Sequence, residues 1–88
     1  MSRQVVRNIT LNGHRTSLRL EADVWEALEE ICVREGYTLN QLGSMINKQR
    51  QESSMAAAVR VFVLMYFRSA ATELGHENAG HGTLEDIV

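Results

Sequence analysis

Polar and apolar residues alternate in two short segments near the start of the chain. Over residues 5–11, Val5, Ile9 and Leu11 share one face, interrupted by Arg7, while Val6, Asn8 and Thr10 share the other. Over residues 14–20, His14, Thr16, Leu18 and Leu20 alternate with Arg15, Ser17 and Arg19. A period of two predicts strands. Asn12-Gly13 lies between them, and both residues tolerate the positive φ of a two-residue hairpin turn. Such a turn sets the register: Leu11 opposite His14, Ile9 opposite Thr16, Arg7 opposite Leu18 and Val5 opposite Leu20. The face so formed is mostly apolar. The opposite face pairs Thr10 with Arg15, Asn8 with Ser17 and Val6 with Arg19, and it is mostly polar. Nothing in the choice of turn demanded that segregation, so it supports the hairpin.

The period then lengthens. Val24, Trp25, Leu28, Ile31 and Cys32 form one stripe of a helix over about 22–35, with Glu26, Glu29 and Glu30 off the stripe. Glu21 and Asp23 sit where acidic side chains favour a helix dipole, and Gly36 sits where a left-handed residue ends a helix. Thr38-Leu39-Asn40-Gln41 has the form of a capping box opening a second helix over about 39–50, with Leu39, Leu42, Met45 and Ile46 as its apolar face. After the polar break 51–54, Ser53 or Ser54 can cap a third helix over about 55–74. Its middle is apolar on almost every side, with Arg60 as the one charge between Ala56 and Phe67. A helix apolar all round needs cover all round. The expected organisation is one domain over 1–74 and an extended tail over 75–88.

Size turns that helix into an argument. With 88 residues and 44% hydrophobic side chains, the chain is too short to surround its third helix. A domain this small buries only about 60% of its unfolded surface. A second copy sharing one core is the economical answer. Cys32 is the single cysteine, so no disulfide framework stabilises the fold. The absence of an apolar leader segment, together with a lone thiol, points to a reducing cytoplasm. The run Val61–Phe67 is seven residues between two arginines, far below the ~20 that cross a bilayer, so no membrane association is expected.

The net charge of −2 conceals a segregation. Arg3, Arg7, Arg15 and Arg19 fall in the first twenty residues with no acid, and six acids crowd 21–35. Such a split allows a local positive field on a net-acidic protein. Eight of the nine basic residues are arginine, whose planar fork suits phosphate and guanine.

Strand, helix, glycine turn and helix now follow in order. The segments Arg15-Thr-Ser-Leu-Arg-Leu20, Trp25 with Leu28, and Gly36-Tyr-Thr-Leu-Asn-Gln-Leu42 together resemble the ribbon-helix-helix superfamily. More narrowly, residues 13–21 with Ala58-Val-Arg-Val-Phe-Val-Leu64 resemble a bacterial subfamily of small ribbon-helix-helix domain proteins. The likeness runs from about Arg7 to Arg68. It implies a mainly α homodimer with an N-terminal β-ribbon, here with an added hairpin strand and a third C-terminal helix. It implies a transcriptional regulator that reads double-stranded DNA in the major groove. Arg15, Ser17 and Arg19 would contact bases, and the second helix's N-terminus at Thr38, Leu39 and Asn40 would contact phosphate. Leu18, Leu20, Trp25, Leu28, Leu42, Ile46, Phe62 and Leu64 would form the dimer core.

The chain departs from that pattern in its extra strand. Four strands across a dimer span three ~4.8 Å spacings, wider than the ~12 Å major groove unless the outer strands curl away. The acids of the first helix also lie close to the supposed phosphate surface. A competing expectation is therefore a dimeric protein-interaction module, an adaptor or an antitoxin-like subunit, with DNA reading blocked and a partner engaged through the 75–88 tail. No catalytic residue, metal or cofactor is expected. Cys32 lies on an apolar stripe with no base near it in sequence, and His76, Glu77 and His81 lack a third strong ligand.

Overall fold

A computed structural model describes residues 3–76 of the chain. Two antiparallel strands, β1 (Gln4–Leu11) and β2 (His14–Glu21), are followed by α1 (Ala22–Glu35), α2 (Leu39–Gln49) and α3 (Met55–His76). The predicted register holds at every position, from Leu11 opposite His14 to Val5 opposite Leu20. The turn makes this possible, because Asn12 and Gly13 take φ values of 51° and 88°. Each strand extends one residue beyond the alternating segment, so Gln4 faces Glu21.

The helix signals act as the local rules require. Gly36 closes α1 in the left-handed region at φ 77°, and its N–H donates to the Cys32 carbonyl. Thr38 opens α2 with both halves of a capping box: its hydroxyl accepts from Gln41 N–H at 3.1 Å, and its own N–H donates to Gln41 Oε1 at 2.8 Å. Arg50, expected inside α2, has extended backbone and is the cap residue. Ser54 is the serine that opens α3, with its hydroxyl accepting from Ala57 N–H. α3 continues two residues past its expected end at 74. The remainder of the expected tail, together with Glu77 and His81, lies outside the described residues.

Glu21 stands at the start of α1, as expected, and has a further partner. It occupies the N-cap position of α1 but makes no capping bond with its side chain. Its carboxylate instead takes a two-pronged contact from Arg60 on α3, at 2.9 and 3.1 Å. That guanidinium holds the Glu21 carboxyl down at about 2. The pair ties α3 to the junction of β2 and α1, a link between residues 39 positions apart.

The core lies between the inner face of the hairpin and the helices. Ile9, Leu11, Leu18 and Leu20 enter it from the strands, and Trp25, Leu28, Ile31 and Cys32 from α1. Leu42 and Ile46 enter from α2, and Met55, Val59, Phe62 and Tyr66 from α3. Gly43 lets α2 approach β1, since a Cβ there would meet Leu11 Cδ2 at 3.0 Å and Ile9 Cδ1 at 3.3 Å. The Tyr66 hydroxyl donates to Glu35 at 2.6 Å, and burial together with that bond pushes its ionisation up to about 12. α3 is long and apolar enough by composition to cross a membrane, with mean hydropathy 1.3 over Met55–Thr72. Its Val59, Phe62 and Tyr66 side is packed into this core.

The other side of α3 has no cover among the described residues. Val61 is 59% exposed, Leu64 57% and Met65 42%. These residues lie on one stripe at helical spacing. Seven of the eight residues expected in a shared core are thus buried in one chain alone, and Leu64 is the one that faces outward.

Candidate nucleic-acid interface

The outer face of the hairpin carries Arg15, Ser17 and Arg19, all exposed. Their alternation along β2 puts the three side chains on one side, while Leu18 and Leu20 between and beside them point into the core. β1 adds Val6, Asn8 and Thr10 to the same face, opposite Arg19, Ser17 and Arg15 respectively. Val6 is 51% exposed. Ser17 does not stand alone, since its hydroxyl donates to Asn8 Oδ1 at 2.8 Å. Sequence reasoning placed Asn8 opposite Ser17 but assigned it no part in the site. The signal was there, in two short polar side chains facing each other on an exposed strand pair.

Arg7 corrects the picture of a four-arginine patch. It is on the inner side of the hairpin, opposite Leu18. Its guanidinium lies 4.8 Å from the Trp25 ring centroid and 2.8 Å from Glu29 on α1. An arginine at an apolar position turned its head out along the helix instead of joining the outer face, which is how long cationic side chains avoid burial. Arg3 precedes β1, so the outer face of the two strands holds two arginines, Arg15 and Arg19. Arg7 also neutralises part of the acidic face of α1, where Arg34 bridges to Glu30 at 3.2 Å.

The two edges of the hairpin differ. A two-residue turn makes Leu11 and His14 a hydrogen-bonded pair, and such pairs recur at every second residue. The phase persists at the far end, where Ala22 N–H donates to the Arg3 carbonyl at 2.7 Å. Thr10 on β1, and Arg15, Ser17 and Arg19 on β2, therefore aim their backbone groups away from the hairpin. On the β1 side α2 meets these groups. Thr10 N–H donates to Asn40 Oδ1 at 2.9 Å, and Asn12 N–H donates to Ser44 Oγ at 3.0 Å. Asn47 Nδ2 donates to Asn12 Oδ1 at 2.7 Å. Asn40, Ser44 and Asn47 follow one another at four and three residues, one face of a helix. On the β2 side the sheet ends: it has two strands, and no third strand pairs with β2 among the described residues.

The start of α2 is correspondingly occupied in part. Thr38 is exposed, but its hydroxyl and N–H are engaged by the capping box. The side chain of Asn40 is held by Thr10. What remains for an anion are the N–H groups of Leu39 and Asn40, which have no carbonyl within the helix to bond. This end of α2 lies against the outer edge of β1, not of β2.

Cys32 is buried, and burial, with Glu29 nearby, pushes its thiol up and away from the reactive thiolate. Among the described residues no group of three metal-ligating side chains converges. Comparison with known proteins bears on the same stretch. The family model described as a ribbon-helix-helix domain matches residues 4–67, which is 64 of the 88 residues. No curated protein and no solved structure matches.

Proposed function

The chain belongs to the ribbon-helix-helix domain family, and from that premise we propose that it acts as a homodimer that binds double-stranded DNA and regulates transcription. The observation that carries the proposal is the open edge of β2, whose exposed face presents Arg15, Ser17 and Arg19. Two such edges pair antiparallel across a twofold axis and satisfy each other's outward N–H and C=O groups. Six strand side chains then stand together on one surface. Arg15 and Arg19 donate to guanine edges or phosphate, as their fork geometry allows. The N–H groups of Leu39 and Asn40 add a sequence-independent contact to phosphate. The exposed Val61, Leu64 and Met65 stripe is the apolar surface that a second copy would cover.

The test is binding of random and palindromic duplexes at ~50 mM and ~200 mM salt, with sedimentation to establish the dimer. Binding should fall steeply with salt and favour a palindrome. Undetectable binding at low salt would end this reading.

A second reading has one specific observation in its favour. β1 pairs with β2 along its whole length, so a dimer joined through its β2 edges would have a sheet four strands wide. A dimer kept off DNA by that width would serve as a protein-interaction module. Partner binding with no response of the duplex titration would select it.

A further inference from the structure

We propose that β1 lies over the sugar-phosphate rails of the DNA, with Asn8 as a phosphate-contacting residue that Ser17 holds in place; this rests on the DNA-binding dimer proposed above. Width is the first argument. In a sheet ordered β1-β2-β2-β1 across the twofold axis, each β2 lies half a strand spacing from the axis and each β1 one spacing further, at ~7 Å. The half-width of the major groove is ~6 Å. The sheet therefore rests at the mouth of the groove. β2 sits above the bases, and each β1 sits above a wall. Long side chains are then needed to read bases from β2, and Arg15 and Arg19 are long. Short donors suffice on β1.

Asn8 is such a donor. It is exposed on the outer face, and its partner across the ladder is Ser17. The Asn8–Ser17 pair is of the closely spaced, non-hydrogen-bonded kind, where opposite side chains approach best. The Ser17 hydroxyl donates to Asn8 Oδ1 at 2.8 Å. That bond fixes which end of the carboxamide is which, leaving Nδ2 as the donor end. Ser17, at the centre of the sheet, has spent its own proton on this task. Its role is to position Asn8.

The rest of the fold keeps β1 where this contact needs it. Asn40, Ser44 and Asn47 of α2 fasten β1 and its turn from outside. The same helix start brings the Leu39 and Asn40 N–H groups to the outer side of β1. Both sets of donors are neutral and both lie outside the arginine pair. A net-acidic protein gains phosphate contacts there without adding positive charge.

The test compares the wild type with Asn8→Asp, Asn8→Ala, Ser17→Ala and Ser17→Thr on two duplexes, one palindrome selected by the wild-type protein and one of random sequence. Asn8→Asp is nearly isosteric and keeps the acceptor for Ser17, so the hairpin is retained while the donor becomes a charge. It should weaken both duplexes by more than ~10-fold, because it removes a bond to a charged group and adds repulsion. Asn8→Ala should weaken both to a lesser, equal extent. Ser17→Ala should act in the same direction, and Ser17→Thr, which restores the hydroxyl, should recover binding. Wild-type affinity in Asn8→Asp would overturn the proposal. So would a loss in Asn8→Ala confined to the palindrome, since Asn8 would then be reading a base. Failure of the wild type to bind either duplex removes the DNA reading itself, a result distinct from wild-type binding that Asn8 variants leave unchanged.

Discussion

One strand edge and one helix face of this chain are closed by its own residues, and among the described residues another edge and another face are left open. Closed are the outer edge of β1, which α2 meets with Asn40, Ser44 and Asn47, and the Phe62 and Tyr66 side of α3, which is buried in the core. Open are the edge of β2, which has no partner strand among the described residues, and the Val61, Leu64 and Met65 stripe of α3, which faces outward. The same two kinds of element, a strand edge and a helix face, appear on both sides. The difference is one of purpose. An unpaired edge invites pairing with another chain unless something covers it. Here one edge is covered and the other is kept bare. A domain of this size gains stability by sharing its core, so the bare side is where a second copy belongs.

The largest expected effect comes from the closed side. Phe62→Ala empties a buried ring site and should cost about 3–5 kcal/mol, enough to unfold so small a domain in a denaturant titration. The matching change on the open side is Leu64→Lys. It should leave the far-ultraviolet circular dichroism of the fold intact and shift sedimentation from dimer to monomer. Equal loss of folding in both variants would erase the distinction between the two faces of α3.

The strand edges permit a parallel pair of changes. Ser17→Pro removes an N–H that points out of the hairpin, so the internal ladder survives while pairing between two β2 edges is blocked. A dimer dissociation constant raised by ~100-fold is expected, as one ladder bond is lost from each chain. Asn40→Ala, on the covered edge, should instead cost about 1 kcal/mol of folding stability, the usual worth of one hydrogen bond, with the dimer unchanged at high concentration. A Ser17→Pro protein that still sediments as a dimer would show that the bare edge is not the interface.

The smallest effect concerns the tie between the two sides. Glu21 accepts from Arg60, and its carboxyl is held near 2, below its ordinary value of 4.5. A depressed carboxyl stabilises the folded state above the unfolded-state value, and that contribution fades as pH falls from about 4.5 toward 2. Thermal unfolding of Glu21→Gln should therefore lie slightly below wild type at pH 7, with the gap closing toward pH 2. A gap that stays constant with pH would assign the effect to something other than the charge on Glu21. Because the pair is partly exposed, the expected gap is small.

Much of this fold was legible without coordinates. The alternation around Asn12-Gly13 specified the register, since a slip of one residue would have turned Leu18 and Leu20 outward. Gly36 and the Thr38–Gln41 box marked the ends of α1 and α2 through backbone rules that act over four residues. The candidate site was legible in part. Arg15, Ser17 and Arg19 stand on the exposed face that their spacing implied. Arg7 faces inward as the alternation implied, but the carboxylate and ring that receive it lie on another element, so its withdrawal from the positive field was not legible. Asn40 looked like a helix-start donor, yet its side chain is committed to Thr10, thirty residues earlier.

The sequence by itself determined the hairpin, its register, the three helices and their caps, because those depend on neighbours within one turn or one strand pair. It also raised the expectation that some apolar surface of the third helix would need cover beyond its own chain. Only the tertiary structure decided which surface that was. The packing of α2 against β1 closed one edge, and the Glu21–Arg60 tie helped set which side of α3 met the core. Val61, Leu64 and Met65 were left outside, and Ser17 was turned toward Asn8. These outcomes depend on which residues distant in the chain come to share a volume. Local periodicity carries no information about that, and close packing admits few solutions.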